Sequence, residues 1–170
     1  MRIFRKKDGG IIQLIDKEKM EDWPIELPLL FVEYIRNNKL ESYGDVKKDV
    51  EKYLDEIMKD IAIPKFINAI KGENDEEIIL ALNRIEELSR KNLEMVKPIK
   101  KYLEPLLKNK NKKIVEIAKK ISNNFAAAER RKELAKKRKI MQEKEKQFLA
   151  GKISAEEYAK ARKEYLLLKG

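Results

Sequence analysis

The segments "IPKFINAIKGENDEEIILALNRIEEL" (residues 63–88) and "IKKYLEPLLKNKNKKIVEIAKKISNN" (residues 99–124) align without a gap at an offset of 36 residues. Chance agreement between two helical patterns rarely extends over two amphipathic segments and a polar turn of the same length. Each copy is therefore predicted to fold as helix, turn and helix. The matched apolar pairs are Ile63/Ile99, Phe66/Tyr102, Ile70/Leu106, Ile78/Ile114, Ile79/Val115, Leu82/Ala118 and Ile85/Ile121.

The polar turn of each copy carries a helix-start signal. Asn74 followed by Glu77 has the spacing of a capping box, and Asn111 occupies a comparable turn position in the second copy. A two-helix unit of this size cannot bury its apolar stripe alone, so the two copies are expected to stack.

The repeated region, residues 63–125, resembles HEAT and armadillo repeats, whose units are helix hairpins. The segment "ENDEEIILALNRIEEL" looks like the turn and second helix of a HEAT unit. Residues 28–60 offer a candidate third copy, although their long turn "NNKLESYG" departs from the pattern. The resemblance implies a mainly α fold, a short α-solenoid of two to three helix hairpins over residues 28–125. Such folds mostly offer surfaces to proteins or nucleic acids.

Two further segments precede the repeats. Residues 1–16 are predicted to form a β-hairpin, with strands 2–5 and 11–15 around Asp8-Gly9-Gly10. It is expected to cover a helical core, the alternative being a free sheet edge or basic arm. Residues 17–27 are interpreted as a linker fixed to the core by Trp23. A helix starts near Pro28 and ends near residues 37–38, and Asp45 is expected to cap the next one.

The last segment, residues 126–170, is predicted to be a basic helical arm: a long helix and a final short one. Gly151 separates them, and Ser154 with Glu157 has capping-box spacing. The face of the final helix is Tyr158, Ala161, Tyr165 and Leu168. Residues 148–168 resemble the SHOCT-type C-terminal motif, which implies a small interaction hairpin.

Composition excludes several kinds of chemistry. The chain has no Cys and no His, which excludes disulfides, thiol and imidazole chemistry and the usual zinc sites. It also lacks a phosphate-binding glycine loop, so we expect a non-enzymatic protein with no cofactor and no metal. No apolar run or leader pattern suggests a membrane or secretory signal, and a cytoplasmic location is expected. Abundant Lys, Glu and Ile is similar to thermophile composition.

Charged residues are distributed unevenly between the two halves of the chain. Residues 1–95 hold 17 Lys/Arg and 21 Asp/Glu, a net of −4, whereas residues 96–170 hold 23 and 9, a net of +14. This asymmetry predicts that the C-terminal half binds a polyanion, with nucleic acid or a ribosome as the leading partner. The candidate contacts are Lys108, Lys110, Lys112, Lys113, Lys119, Lys120, Arg130, Arg131, Lys132, Lys136, Lys137, Arg138 and Lys139.

Two other interpretations stay open at this point. Lysines also make helices soluble without binding anything. Alternatively, the protein is an adaptor or assembly subunit, in which the repeat groove takes a partner helix and the arm docks on an acidic protein. A second copy is one such partner, through the acidic face of residues 45–60, which carries Asp49, Glu51, Asp55, Glu56 and Asp60.

Overall fold

Helices dominate the architecture, and the computed structural model describes all 170 residues. The chain divides into two compact units, Met1–Ser122 and Asn123–Gly170. The mainly α fold, the N-terminal β-hairpin, the long late helix and the short final helix are confirmed, and the helix packing is compatible with a solenoid. The strands are β1 (Arg2–Arg5) and β2 (Ile11–Leu14); the helices are α1 (Leu27–Asn38), α2 (Lys47–Ile57), α3 (Ile63–Ile70), α4 (Asp75–Lys91), α5 (Leu93–Val96), α6 (Leu103–Leu106), α7 (Lys112–Leu149) and α8 (Ala155–Lys169).

Burial repeats with the 36-residue spacing. In six of the seven matched pairs both members are equally shielded: five pairs are buried in both copies, and Ile79 and Val115 are half-buried. Ile85 and Ile121 both have 0% exposure. The exception is the pair of Phe66, which is buried, and Tyr102, which is half-exposed. The equivalent positions therefore form the core of the first unit, as the repeat predicts.

The first helix of the two copies differs in regularity. In the first copy α3 is an eight-residue helix, whereas the second copy has a 3₁₀ segment, Lys97–Tyr102, followed by the four residues of α6. Pro98 and Pro105 lie in this stretch. Proline has no N–H to donate and its ring clashes with the carbonyl four residues earlier, so a regular helix is not sustained there. The first helix of this copy is therefore present as a 3₁₀ segment followed directly by a short α-helical one, and its apolar register is kept.

A π-helical turn joins α2 to α3. Met58–Ala62 adopt this turn, and the Ile63 N–H donates to the carbonyl of Met58, five residues earlier. Pro64 follows directly and has no N–H with which to continue an α-helical pattern. The chain from Lys47 to Ile70 is thus helical throughout, so the candidate hairpin of residues 28–60 continues directly into the first repeat.

Asp45 does not cap α2, which corrects the expectation from sequence. Val46 occupies the cap position without a side-chain hydrogen bond. The Asp45 carboxylate instead accepts the backbone N–H of Lys7 at 2.9 Å, at the turn of the β-hairpin. Because this hydrogen bond to the hairpin occupies the Asp45 carboxylate, the side chain does not cap α2. Strand β2 also ends one residue earlier than predicted, at Leu14.

Tyr53 of α2 attaches the β-hairpin to the helices. Its hydroxyl accepts the backbone N–H of Lys17 at 2.7 Å and donates to the carbonyl of Ile15 at 2.9 Å. Its ring lies 5.9 Å from the ring of Phe4, and Phe4 and Leu14 are buried. Burial raises the pKa of the Tyr53 hydroxyl, so it stays protonated and able to donate. The hairpin therefore covers the helical core, the interpretation favoured from sequence.

The segment between the hairpin and α1 is also held down. It contains a short 3₁₀ turn, Lys17–Met20, whose Met20 has 0% exposure. The Trp23 ring meets the Phe31 ring edge-on at 6.1 Å, and the Lys65 ammonium donates to the Trp23 carbonyl at 2.8 Å. Trp23 thus fixes this segment to the core, as expected.

Replacing Tyr53 with Phe is expected to lower the free energy of unfolding by about 1–3 kcal/mol, because the Lys17 N–H and the Ile15 carbonyl lose their partner. Urea denaturation followed by circular dichroism measures the change. Tyr34→Phe is the matched control, since Tyr34 is 54% exposed. Equal stabilities of the two variants would contradict the anchoring role.

Candidate nucleic-acid interface

The turn of the second repeat is built from asparagine side chains. Asn109 Oδ1 accepts the N–H of Asn111 at 2.7 Å, and Asn111 Oδ1 accepts the N–H of Lys113 at 3.0 Å. In the first repeat Asn74 Oδ1 accepts the N–H groups of Glu76 and Glu77 at 3.0 and 3.3 Å. Both predicted turn asparagines thus satisfy helix-start N–H groups that would otherwise lack partners.

The two turns lie side by side. The side-chain amide of Asn111 donates to the carboxylate of Asp75 at 2.7 Å, and these residues are 36 positions apart. The ammonium of Lys71, at the end of α3, lies 5.7 Å from the ring centre of Tyr102 in the second copy. Equivalent positions of neighbouring repeats therefore meet along one edge of the stack.

The first turns of α7 carry four lysines on one side, which we call the lysine face: Lys112, Lys113, Lys119 and Lys120. All four are exposed. At 3.6 residues per turn they fall within an arc of about 120°, and the two pairs are about 10 Å apart along the axis. Ile114, Ala118 and Ile121 occupy the opposite side and have 0% exposure. The apolar side holds the helix on the stack, so the lysines point to solvent.

Few acids neutralise these cations. Glu116 lies within the lysine face and forms an ion pair with Lys120 at 2.8 Å. The hydrogen bond and charge of Lys120, with the charge of Lys113, lower the pKa of Glu116, so this carboxylate is ionised at neutral pH. No ion pair involves the other three lysines of the face or Lys108 and Lys110, which are exposed in the turn.

The lysines at the start of α7 oppose the helix dipole. Helix α4 begins with Asp75, Glu76 and Glu77, which the positive end of the dipole stabilises. Helix α7 has no acid in its first turn and begins with Lys112 and Lys113. A charge of the wrong sign at a helix end costs about 0.3–1 kcal/mol when exposed at low salt. Stability of the helix therefore does not explain why lysines stand here.

In the second unit, the later part of α7 and α8 form an antiparallel hairpin. The rings of Phe148 and Tyr158 stack at 5.6 Å, and the Tyr158 hydroxyl donates to Glu145 at 3.2 Å. Gly151 makes the turn with a φ of +68°, which glycine adopts without strain. The capping box of Ser154 and Glu157 is present, as predicted.

The predicted face of α8 is also the partly buried one in the structure, with Tyr158, Ala161, Tyr165 and Leu168 all half-buried. Sequence periodicity alone located these positions.

The hairpin uses two of the seven candidate cations of the arm. Lys137 pairs with Glu164 at 2.6 Å, and the Arg130 guanidinium donates to the carbonyl of Leu168 at 3.3 Å. The contact raises the pKa of Lys137 and lowers that of Glu164, so it persists at neutral pH and is lost as pH falls through the lowered pKa of the glutamate. The cations that are exposed on the other sides of α7 are Arg131, Lys132, Lys136, Arg138 and Lys139.

A signal for this division was present in the sequence. Arg130 and Lys137 are spaced by seven residues and alternate with Leu134 and Met141 on one side of the helix. That side packs towards α8, and the predicted list did not separate it from the outward-facing cations.

The acidic face of residues 45–60 is partly neutralised within the chain. Asp60 pairs with Lys17 at 2.5 Å, and Asp55 pairs with Arg36. Glu56 lies 3.7 Å from the same Lys17 ammonium. The negative potential available to an outside cation is reduced accordingly.

Comparison with known proteins found no matching family model, no similar curated protein and no similar solved structure. No group of three or more carboxylate side chains is placed to hold a metal ion. None of the helices combines the length and apolar character needed to cross a membrane.

Replacing Lys112 and Lys113 together with Gln is expected to raise the midpoint of thermal unfolding by roughly 1–3 °C in low salt, because two cations leave the positive end of the helix dipole. Differential scanning calorimetry measures the shift. Lys119→Gln is the control, since Lys119 lies beyond the first turn, and its midpoint is expected to stay within 1 °C or so. The difference should fade in 1 M salt. A lower midpoint for the double variant would show that these lysines stabilise the fold.

Proposed function

We propose that the protein is a non-enzymatic binder of nucleic acid or ribonucleoprotein that contacts the phosphate backbone without reading sequence. The contacts of the first unit are the lysine face and the turn lysines Lys108 and Lys110. The observation that carries the proposal is the pair of lysines at the start of α7, which oppose the helix dipole where the equivalent helix of the neighbouring repeat has acids. A charge arrangement that costs stability is best explained by a binding role.

The lysine face is suited to contact the phosphates of a nucleic acid and not its bases. Lysine presents a compact charge that attracts phosphate from any direction, which gives affinity but no base discrimination. The half-exposed Tyr102 is the aromatic residue near the turn, and the ammonium groups of Lys71 and Lys101 lie 5.7 and 5.0 Å from its ring centre. A ring occupied by two lysines is a poor platform for base stacking. Backbone contact is therefore favoured over recognition of splayed bases.

The basic arm adds contacts of the same kind. Arg131, Lys136, Arg138 and Lys139 are exposed along α7, whereas Arg130 and Lys137 hold the hairpin together. We infer that only the outward set contributes to binding, and that the inward pair acts indirectly by ordering α8.

Replacing the four residues of the lysine face with Gln is expected to weaken binding to a 20-base-pair duplex, because each lost phosphate contact reduces counterion release. The slope of log affinity against log salt should flatten by about 0.9 for each lysine that contacts a phosphate. Fluorescence anisotropy between 50 and 200 mM salt measures both quantities, and a shuffled duplex should bind equally well.

A charge-matched control separates local contact from net charge. Lys19, Lys39, Lys48 and Lys59 are exposed and lie elsewhere on the first unit. Their replacement with Gln changes the net charge by the same amount and should leave the salt slope nearly unaltered. If both quadruple variants lose the same affinity, the lysine face is not the interface.

The arm is tested by two pairs of substitutions. Arg138→Gln with Lys139→Gln should weaken duplex binding and leave helix content unchanged. Arg130→Gln with Lys137→Gln should reduce the helix signal in circular dichroism, because the Glu164 and Leu168 contacts are lost. A stronger effect of the inward pair on affinity, with helix content intact, would contradict the division of roles.

A second candidate function is docking on a protein partner, and one observation favours it. Within residues 126–170 no side chain is buried, and Leu149, Leu166 and Leu167 are 79%, 51% and 73% exposed. Exposed leucines on a thin hairpin are typical of a surface that a partner covers. If the purified protein binds neither DNA nor RNA at low salt, this adaptor role replaces the first proposal. The partner of the arm is then an acidic protein or another copy.

A further inference from the structure

The outer edge of β1 offers unpaired backbone groups. Phe4 faces Ile12 and Ile3 faces Gln13 in the antiparallel register, and the Lys6 N–H donates to the Gly10 carbonyl at 2.8 Å. Hydrogen-bonded and non-hydrogen-bonded pairs alternate along such a ladder. Counting from Lys6, the backbone N–H and C=O groups of Ile3 and Arg5 point away from β2. Neither residue has a backbone hydrogen bond elsewhere in the protein.

A groove of about 330 Å³ runs along this edge. All four residues of β1 line it, from both faces of the strand, and no residue of β2 does. Its other wall comes from α2, through Asp49, Lys52 and Glu56. A strand edge beside a helix in this way is the arrangement that accepts an added strand, because main-chain groups supply affinity and the helix wall limits which side chains fit.

The charges of the groove indicate what kind of strand fits. Arg5 and Lys52 form no ion pair, and the Arg2 guanidinium lies 5.9 and 5.5 Å from the ring centres of Phe4 and Tyr53 without a carboxylate partner. Glu56 is offset by Lys17 at 3.7 Å. Three cations thus face two acids, Asp49 and Glu56, and Glu56 shares the Lys17 ammonium with Asp60, so the groove is positive on balance. A second copy of β1 would bring "RIFRKK" against itself and place like charges side by side, which disfavours self-pairing.

We propose that β1 is a docking edge for an acidic, extended peptide segment of a partner protein, which adds a third strand to the sheet. This site is separate from the lysine face and does not depend on nucleic-acid binding. The strand has four residues, so a bound segment spans about 13 Å and pairs with two residues of β1. Its acidic side chains meet Arg2 and Lys52 on the α2 side, and its apolar ones point to the other face and pack beside Ile3, which is 48% exposed.

The test uses an acetylated six-residue peptide that alternates Val and Glu, added to the full-length chain. Nuclear magnetic resonance follows the backbone amides of Ile3 and Arg5. In the saturated complex these two amides are expected to exchange with solvent at least ~10-fold more slowly, because they become hydrogen-bonded. The same peptide with alternate nitrogens methylated lacks donors and should bind at least ~10-fold more weakly.

Proline substitutions give a matched pair within the protein. Ile3→Pro removes an outward N–H of β1 and no ladder hydrogen bond, since proline is tolerated where the N–H faces away from the partner strand. Gln13→Pro does the same on β2, directly opposite. Ile3→Pro should abolish peptide binding, and Gln13→Pro should retain it within about twofold, which is well under one tenfold step of affinity. If Ile3→Pro unfolds the hairpin, the methylated peptide supplies the same comparison with the unaltered chain.

Three results would overturn the proposal: no binding at millimolar peptide, equal affinity for the methylated peptide, or protection of Ile11 and Gln13 in place of Ile3 and Arg5. The Gln variant of the lysine face should bind the peptide normally. Loss of binding in that variant would assign the peptide to the lysine face and also contradict the β1 site. Loss of nucleic-acid binding alone leaves the β1 site intact.

Discussion

Burial of equivalent apolar residues in two consecutive repeats is the constraint on which the first unit depends. Ile85 and Ile121 have 0% exposure, and they sit at the same place in the two copies. Fully burying a side chain of this size contributes about 1.5–3 kcal/mol, a large share of a total stability of about 5–15 kcal/mol. Neither helix pair can shield such residues alone, so the copies stack in register. The contact between Asp75 and Asn111 is a direct consequence of that register.

The same register produces the electrostatic asymmetry of the edge. The starts of α4 and α7 are neighbours and occupy equivalent positions in the two repeats. The acids at the start of α4 can therefore be compared directly with the lysines at the start of α7. Both starts satisfy their N–H groups with an asparagine, so capping does not distinguish them. Only the charge differs, and it differs in the direction that the helix dipole disfavours for α7. Comparison of the two repeats therefore identifies Lys112 and Lys113 as the residues whose charge is unfavourable at a helix start.

Sequence predicted those features that follow from periodicity and local capping. The core positions came from the repeat at an offset of 36 residues, and the turn asparagines, the β-hairpin and the face of α8 came from patterns within about ten residues. What sequence missed depended on tertiary contact or on proline. Asp45 binds the N–H of Lys7, 38 residues away, instead of capping α2. A π-turn joins α2 to α3 just before Pro64, and with Pro98 and Pro105 the first helix of the second copy becomes a 3₁₀ segment followed by a short α-helix. In the candidate site, the binding cations are predicted from residue type alone. Their positions around the axis of α7 place Arg130 and Lys137 in the contact with α8 instead.

Charge within the first unit is segregated along the chain as well as along the edge. Residues 1–95 carry a net charge of −4, while residues 96–122 hold nine Lys and two Glu, a net of +7. Lys17 and Arg36 neutralise part of the acidic face, and most of the lysines near the turn form no ion pair. A polyanion approaching such a unit is repelled by one part and attracted by the other, so encounter is oriented before contact is made. The effect weakens beyond about 8 Å at physiological salt, so this orienting field acts only at short range. The segregation of charge therefore orients an approaching polyanion, which the lysine side chains alone do not do.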